Sequence, residues 1–353
     1  METIKSQLHN FRVTTIARGL DHPWSMAFLP DGGLLITERV GRLRLYRGSA
    51  LSPKPIAGVP RVVVSGQGGL LDVTLHPQFS ENRLLYLSYA ARGTSGVHTR
   101  VSRFYFDAAS HALIRPKLIF DATPKVHGGR HFGGRMVFDR AGYLFISVGE
   151  RGDMNRAQTL TDHSGSIIRL NKDGGVPPDN PFIGRGSGEP EIYSYGHRNP
   201  QGMALNPRTG AVWTHEHGAK GGDEVNIIHS GRNYGWPVIT HGINYDNTPI
   251  GIGKEAPGME QPLYYWVPSI APSGMAFYTG EKFPRWRNSL FVGALRGELL
   301  VRLELDGDRV IREERLLTDR IGRIRDVRIG SDGMIYLATD DDQGCVLRLE
   351  PVD

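Results

Sequence analysis

The chain has 353 residues, 39% of them hydrophobic, with 45 glycines, one cysteine and a formal net charge of +5. No apolar run approaches the ~18 residues that mark a membrane-spanning helix, and no Lys/Arg block marks a nucleic-acid surface, so neither partner is expected. The lone Cys345 excludes an internal disulfide framework and a cysteine-rich metal site. The opening METIKSQLHNF lacks the apolar core of a signal peptide.

Along the chain, one unit recurs: a turn rich in Pro, Asp, Asn or Gly, then a strand ending in small or polar residues. It reads 30–33 into 34–38, 80–83 into 84–89, 139–142 into 143–148, and more weakly 207–210 into 211–214. It returns as 284–288 into 290–294 and 331–333 into 334–339. Most copies follow another apolar strand, as at 25–29, 71–75 and 274–278, and most precede a third, as at 43–46 and 299–303. Few runs have helical period. Six strand-turn-strand units at such spacing predict an all-β fold, a six-bladed β-propeller of four-stranded antiparallel blades, as one domain over 1–353. The N-terminal stretch 11–16 is expected to add the outer strand of the blade completed by the C-terminus; an open double sandwich is the competing fold. Three longer segments, 151–165, 171–190 and 240–262, are predicted to line a cleft on one face of the ring.

The chemistry-bearing residues sit on glycine-softened loops, where backbone can approach a ligand closely. His131 precedes Gly133-Gly134 and the predicted strand at 135–138, and Glu150 ends the next strand. Residues before one strand and after its antiparallel neighbour emerge at the same sheet end, so this carboxylate can orient that imidazole as a general base. In Gly218-Ala219-Lys220-Gly221-Gly222-Asp223-Glu224, carboxylates and glycine carbonyls suit calcium; a solvated acidic turn is the bland reading. His215 and His217 would share a strand face with no third ligand, which makes zinc the weaker reading. Arg323 and Arg325 would project to one side of a strand and, with Arg198, suit a carboxylate-bearing ligand, against the alternative of a solvated strand face. Trp266 reads equally as a stacking platform or a packed blade edge.

Together these motifs resemble the soluble glucose dehydrogenases that depend on pyrroloquinoline quinone (PQQ), and more closely their aldose sugar dehydrogenase branch. The similarity runs from Leu20-Asp21-His22-Pro23-Trp24 to Ile324-Arg325-Asp326-Val327. It includes Gly66-Gln67-Gly68-Gly69-Leu70, His131-Phe132-Gly133-Gly134-Arg135, Tyr195-Gly196-His197-Arg198-Asn199-Pro200-Gln201-Gly202, Gly222-Asp223-Glu224 and Asn233-Tyr234-Gly235-Trp236-Pro237.

The resemblance implies a six-bladed propeller that oxidises the anomeric hydroxyl of aldose sugars to lactones and passes electrons to an external acceptor. It makes His131 the base and Glu150 its support, where the glucose dehydrogenase branch has aspartate. It implies that Gln67, Arg198, Asn199, Arg323 and Arg325 contact PQQ, as does Arg296, which stands where the family has lysine. It gives the carbonyls of Gly218 and Ala219 to the Ca2+ that polarises the quinone, and Glu224 and Tyr234 to a second, structural Ca2+. It further implies a periplasmic location and leaves a homodimer open. A calcium-dependent lactonase and a non-catalytic binding propeller are the alternatives. Larger alcohol-dehydrogenase propellers typically carry adjacent cysteines, which this chain lacks.

Overall fold

The computed structural model describes residues 2–352 other than Arg185 and Ser187; with Met1 and Asp353, these two lie outside the described residues. The strands form six antiparallel sheets, taken in chain order around a ring. Blade 1 comprises Pro23–Phe28, Leu34–Glu38, Arg42–Arg47 and Ala50–Leu51, and blade 2 comprises Leu70–Leu75, Leu84–Arg92, Val97–Asp107 and Ala112–Asp121. Blade 3 has Met136–Phe138, Leu144–Val148, Ser166–Leu170 and Ile192–Tyr195; blade 4 has Pro200–Leu205, Val212–Glu216, Asp223–Ile227 and Tyr264–Trp266. Blade 5 has Pro272–Phe277, Ser289–Ala294, Leu300–Asp306 and Arg309–Leu316. Blade 6 takes Ile324–Ile329, Ile335–Thr339 and Gly344–Val352 from the C-terminal end, then Asn10–Leu20 and Ile4–Lys5 from the N-terminal end. The propeller is therefore the fold, and each recurring sequence unit supplies the first turn and second strand of one blade.

The second strands of blades 1, 3, 4, 5 and 6 are buried along their whole length. Each lies in the middle of its sheet, with neighbouring blades packed on both faces, so it reads as a continuous apolar run rather than an alternating one. Burial follows the seams. Six hydrophobic clusters each straddle two adjacent blades: Leu35 with Leu87 between blades 1 and 2, for example, and Phe145 with Met203 between blades 3 and 4.

At the axis, Arg135 of blade 3 lies 3.4 Å from Asp72 of blade 2 and 3.1 Å from Asp326 of blade 6. Arg328 pairs with the same two carboxylates at 3.3 and 2.9 Å. Asp72 also accepts the backbone N–H of Met136, and Asp326 that of Met26, so buried charge joins four blades.

Five of the six inner strands begin with a register shift, at Pro23/Ser25, Leu70/Val73, Pro200/Gly202, Pro272/Met275 and Ile324/Asp326. All lie on the face where the chain enters each blade. A bulge there bends the strand and re-aims one side chain, so this face is built irregularly. Segment 151–165 joins the second and third strands of blade 3 and lies on the entry face. Segment 240–262 reaches that face too, where Lys220 N–H meets the Ile243 carbonyl at 3.0 Å. Segment 171–190 joins the third and fourth strands of blade 3, so it leaves from the opposite face, and its end returns to segment 151–165, where Glu189 N–H donates to the Leu160 carbonyl at 2.7 Å.

Candidate active site

His131 enters on the loop before the inner strand of blade 3, and Glu150 follows that blade's second strand. A close backbone approach brings them together. A Cβ on Gly149 would meet the His131 carbonyl oxygen at 2.2 Å, so only glycine allows the two segments to lie this near. His131 Nδ1–H donates to Glu150 Oε1 in a short hydrogen bond, and Gly152 N–H donates to Glu150 Oε2 at 2.5 Å. That tautomer leaves the Nε2 lone pair without a partner among the described residues. Burial pulls the imidazole below its ordinary pKa; the Glu150 bond opposes this, while Arg198 and Arg130 add to it.

Gln67 is exposed, and its Oε1 accepts the His131 backbone N–H at 2.8 Å, so here it holds the base's backbone. Asn199 is buried and accepts from Gly133 N–H and from Gln201 Nε2, both at 3.2 Å. Arg198 is buried beside Trp236 and donates to the Gly218 carbonyl at 2.6 Å. Arg325 is buried beside Trp24 and donates to Gln201 Oε1 at 3.0 Å; burial, opposed by Asp340, brings it down to about 10. The Nε atoms of Arg198 and Arg325 are buried without a partner. Two guanidinium groups on the entry face, with no ion pair among the described residues, fit an anionic planar ligand.

Arg323 and Arg325 both act on the Asp340 carboxylate. Arg325 occupies the bulge, and Arg323 precedes the strand, exposed and bonded to Asp340 at 2.9 Å. Arg296 is also exposed; its backbone N–H donates to the Ile270 carbonyl at 3.1 Å.

Gly218, Glu224 and Tyr234 meet, with Glu216, around one cavity of about 10 Å³, space for a single ion or water. Ala219 is buried next to Gly218 but is not among the residues around it. Burial, with Glu216 and Asp223 nearby, raises the Glu224 carboxyl to about 8, and no cationic side chain pairs with it among the described residues. This donor set fits a hard cation. Tyr234 would offer only its carbonyl, since its hydroxyl donates to the Ile227 carbonyl at 2.5 Å. Asp223 is no ligand: its oxygens accept from Gly218 N–H, Ile270 N–H, Ala271 N–H and Ser269.

The zinc reading fails on geometry. His215 is buried against Gly202, while His217 donates to the Pro272 carbonyl at 2.6 Å. A third cluster, His163 with Glu189 and Glu191, offers no better site: His163 Nδ1 accepts the Thr123 N–H at 3.0 Å, so Nε2 keeps its proton toward Glu191. Trp266 is a packed blade edge, its Nε1 donating to Glu313 at 2.9 Å. A cavity of about 810 Å³ lies between blades 2 and 3 on the opposite face and is lined by none of these residues.

Sequence reasoning missed Glu216, Gln201, Trp24 and Arg151. A signal for Glu216 was present: His197 pairs with it at 2.8 Å across 19 positions, the spacing that separates His131 from Glu150.

A family model described as Glucose / Sorbosone dehydrogenase matches residues 20–348. The chain belongs to that family. It is 47% identical to the aldose sugar dehydrogenase YliI of Escherichia coli (strain K12), over 94% of this chain and 91% of that protein. The crystal structure of the soluble aldose sugar dehydrogenase from Escherichia coli in its apo-form superposes with a TM-score of 0.94 at 46% identity, covering 97% of this chain and 100% of that one. The PQQ-bound aldose sugar dehydrogenase of Streptomyces coelicolor gives a TM-score of 0.81 at 30% identity, covering 97% and 98% of the two chains.

Proposed function

We propose that this chain is a quinoprotein aldose dehydrogenase that oxidises the anomeric hydroxyl of an aldose to the lactone and passes electrons to an external acceptor. The observation that carries this reading is an imidazole with its Nε2 open, supported by a carboxylate, on the same face as two buried arginines without ion pairs. The PQQ-bound relative and the aldose dehydrogenase from Escherichia coli support it.

Arg198, Arg325 and Asn199 would hold PQQ. Glu224 and the Tyr234 carbonyl, with Glu216, would hold a structural Ca2+, and the carbonyls of Gly218 and Ala219 would hold a second Ca2+ beside the quinone. When bound, PQQ supplies the hydride acceptor, with that second Ca2+ as the Lewis acid that polarises it. The protein's part is proton transfer and orientation. His131 Nε2 takes the proton from the sugar's anomeric hydroxyl, and the carbon loses its hydride in the same event, leaving the lactone. Glu150 stabilises the imidazolium that forms. General-base help of this kind is worth roughly 10²–10⁴ in rate.

Addition of PQQ and Ca2+ to the purified chain should produce dye-linked oxidation of aldoses, and His131→Ala should lower kcat about 10³-fold. Lactone hydrolysis by quinone-free protein, without sugar oxidation, would instead identify a lactonase. We extend the proposal to a periplasmic location, which cell fractionation tests; no helix among the described residues is long and apolar enough to cross a membrane.

A further inference from the structure

His131 and Arg151 both hold a left-handed backbone, with φ of 52° and 63°. Side chains with a Cβ rarely adopt this region, and they stay there only where the surroundings over-determine it. At His131 the constraint is visible. The peptide joining Arg130 to His131 is held at both ends: Gln67 accepts its N–H at 2.8 Å, and Arg151 Nη1 donates to its carbonyl.

Arg151 does more than this one bond. Its Nη2 donates to the carbonyls of Gly128 at 3.0 Å and Val97 at 3.3 Å. Its guanidinium lies 3.6 Å from the centre of the Phe132 ring, the residue directly after the base. The side chain is buried, and it makes no salt bridge among the described residues. A buried arginine committed to three backbone carbonyls and one ring costs desolvation without an ion pair to offset it. Because Arg151 directly follows Glu150, it ties the segment carrying the carboxylate to the segment carrying the imidazole.

We propose that Arg151 is a positioning residue for the catalytic base, fixing the peptide plane before His131 and thereby the direction of Nε2. This rests on His131 being the base. Glu150 alone holds the ring at one atom, about which it can pivot. The clamp sets the backbone from which the ring projects. Lysine cannot replace it, since one ammonium point charge does not span the carbonyls that the planar fork reaches.

The test uses the full chain, reconstituted with PQQ and Ca2+, as wild type, His131→Ala, Arg151→Ala and Arg151→Lys. Arg151→Ala is expected to lower kcat about 10²-fold, the scale of a misplaced catalytic group, with KM for the sugar and quinone affinity changed less than about twofold. Arg151→Lys should recover little, and millimolar guanidinium should restore part of the Arg151→Ala rate. A folded Arg151→Ala with unchanged kcat overturns the proposal, as does a loss confined to KM or quinone binding. A second readout needs no turnover: nitrogen-15 NMR of the His131 imidazole should show one Nδ1–H tautomer in wild type and a mixture in Arg151→Ala. Identical imidazole spectra also overturn the clamp. Absence of sugar oxidation by wild type would sink the dehydrogenase reading instead, and the spectra would still decide the clamp's effect on the ring.

Discussion

Two histidine–carboxylate pairs with the same spacing occupy equivalent places in consecutive blades, yet only one is poised for chemistry. His197 is fully buried, stacked on Tyr234 at 4.5 Å, and its Nε2 meets Ser194 Oγ at 3.0 Å. His131 has the same carboxylate support but no partner at Nε2 among the described residues. The difference is access rather than residue type. Because burial lowers the His131 pKa below its ordinary 6.5, the base is neutral at neutral pH. kcat/KM should therefore rise with pH through a value below 6.5 and stay flat above it. Glu150→Gln removes the interaction that opposes burial, so the acid limb should move to lower pH while kcat falls about 10²-fold, read from a pH–rate profile. His131 and Glu150 were legible in the sequence because both flank strands of ordinary spacing. The bulge at Arg325 was not legible, because a register shift leaves no mark in strand periodicity.

Among elements, the second strands and their turns were legible, since burial on both faces makes them apolar throughout. Outer strands such as Ala50–Leu51 and Tyr264–Trp266 are short, and no periodicity announces them. The seam between blades 6 and 1 shows what a strand end can carry. Asp340, just past Ile335–Thr339, meets His22 at 3.1 Å and Arg323 at 2.9 Å. Burial alone would raise this carboxyl; the charge of Arg325 and the bonds from Arg323 and His22 outweigh it and hold it at about 2. A depressed carboxyl contributes stability above its unfolded pKa of about 3.9, and that contribution is lost as pH falls toward about 2. Asp340→Asn should therefore cost about 2 kcal/mol in urea unfolding at neutral pH, the difference shrinking to nothing in strong acid.

At the scale of the whole ring, stability is distributed over six seams and one charged plug at the axis. Arg135→Met would leave Asp72 and Asp326 short of a buried partner and should destabilise the protein by about 3–5 kcal/mol. The same measurement on a surface pair such as Arg309–Asp306, 2.6 Å apart but exposed, should show under about 1 kcal/mol. Phe11, wholly buried against Trp286, anchors the N-terminal strand; Phe11→Ala should cost about 3–5 kcal/mol and loosen blade 6 first, seen as hydrogen exchange along Asn10–Leu20. Repeat count and ring closure were both readable, but the axial plug was not, because its charges come from three blades far apart in sequence. The closing strand pair has a temporal consequence as well. Arg12 bonds Glu350 across 338 positions, so the blade that shuts the ring cannot be completed on the ribosome until residue 350 has emerged. Blades 1 to 5 are synthesised before that strand, and the ring stays open until it arrives.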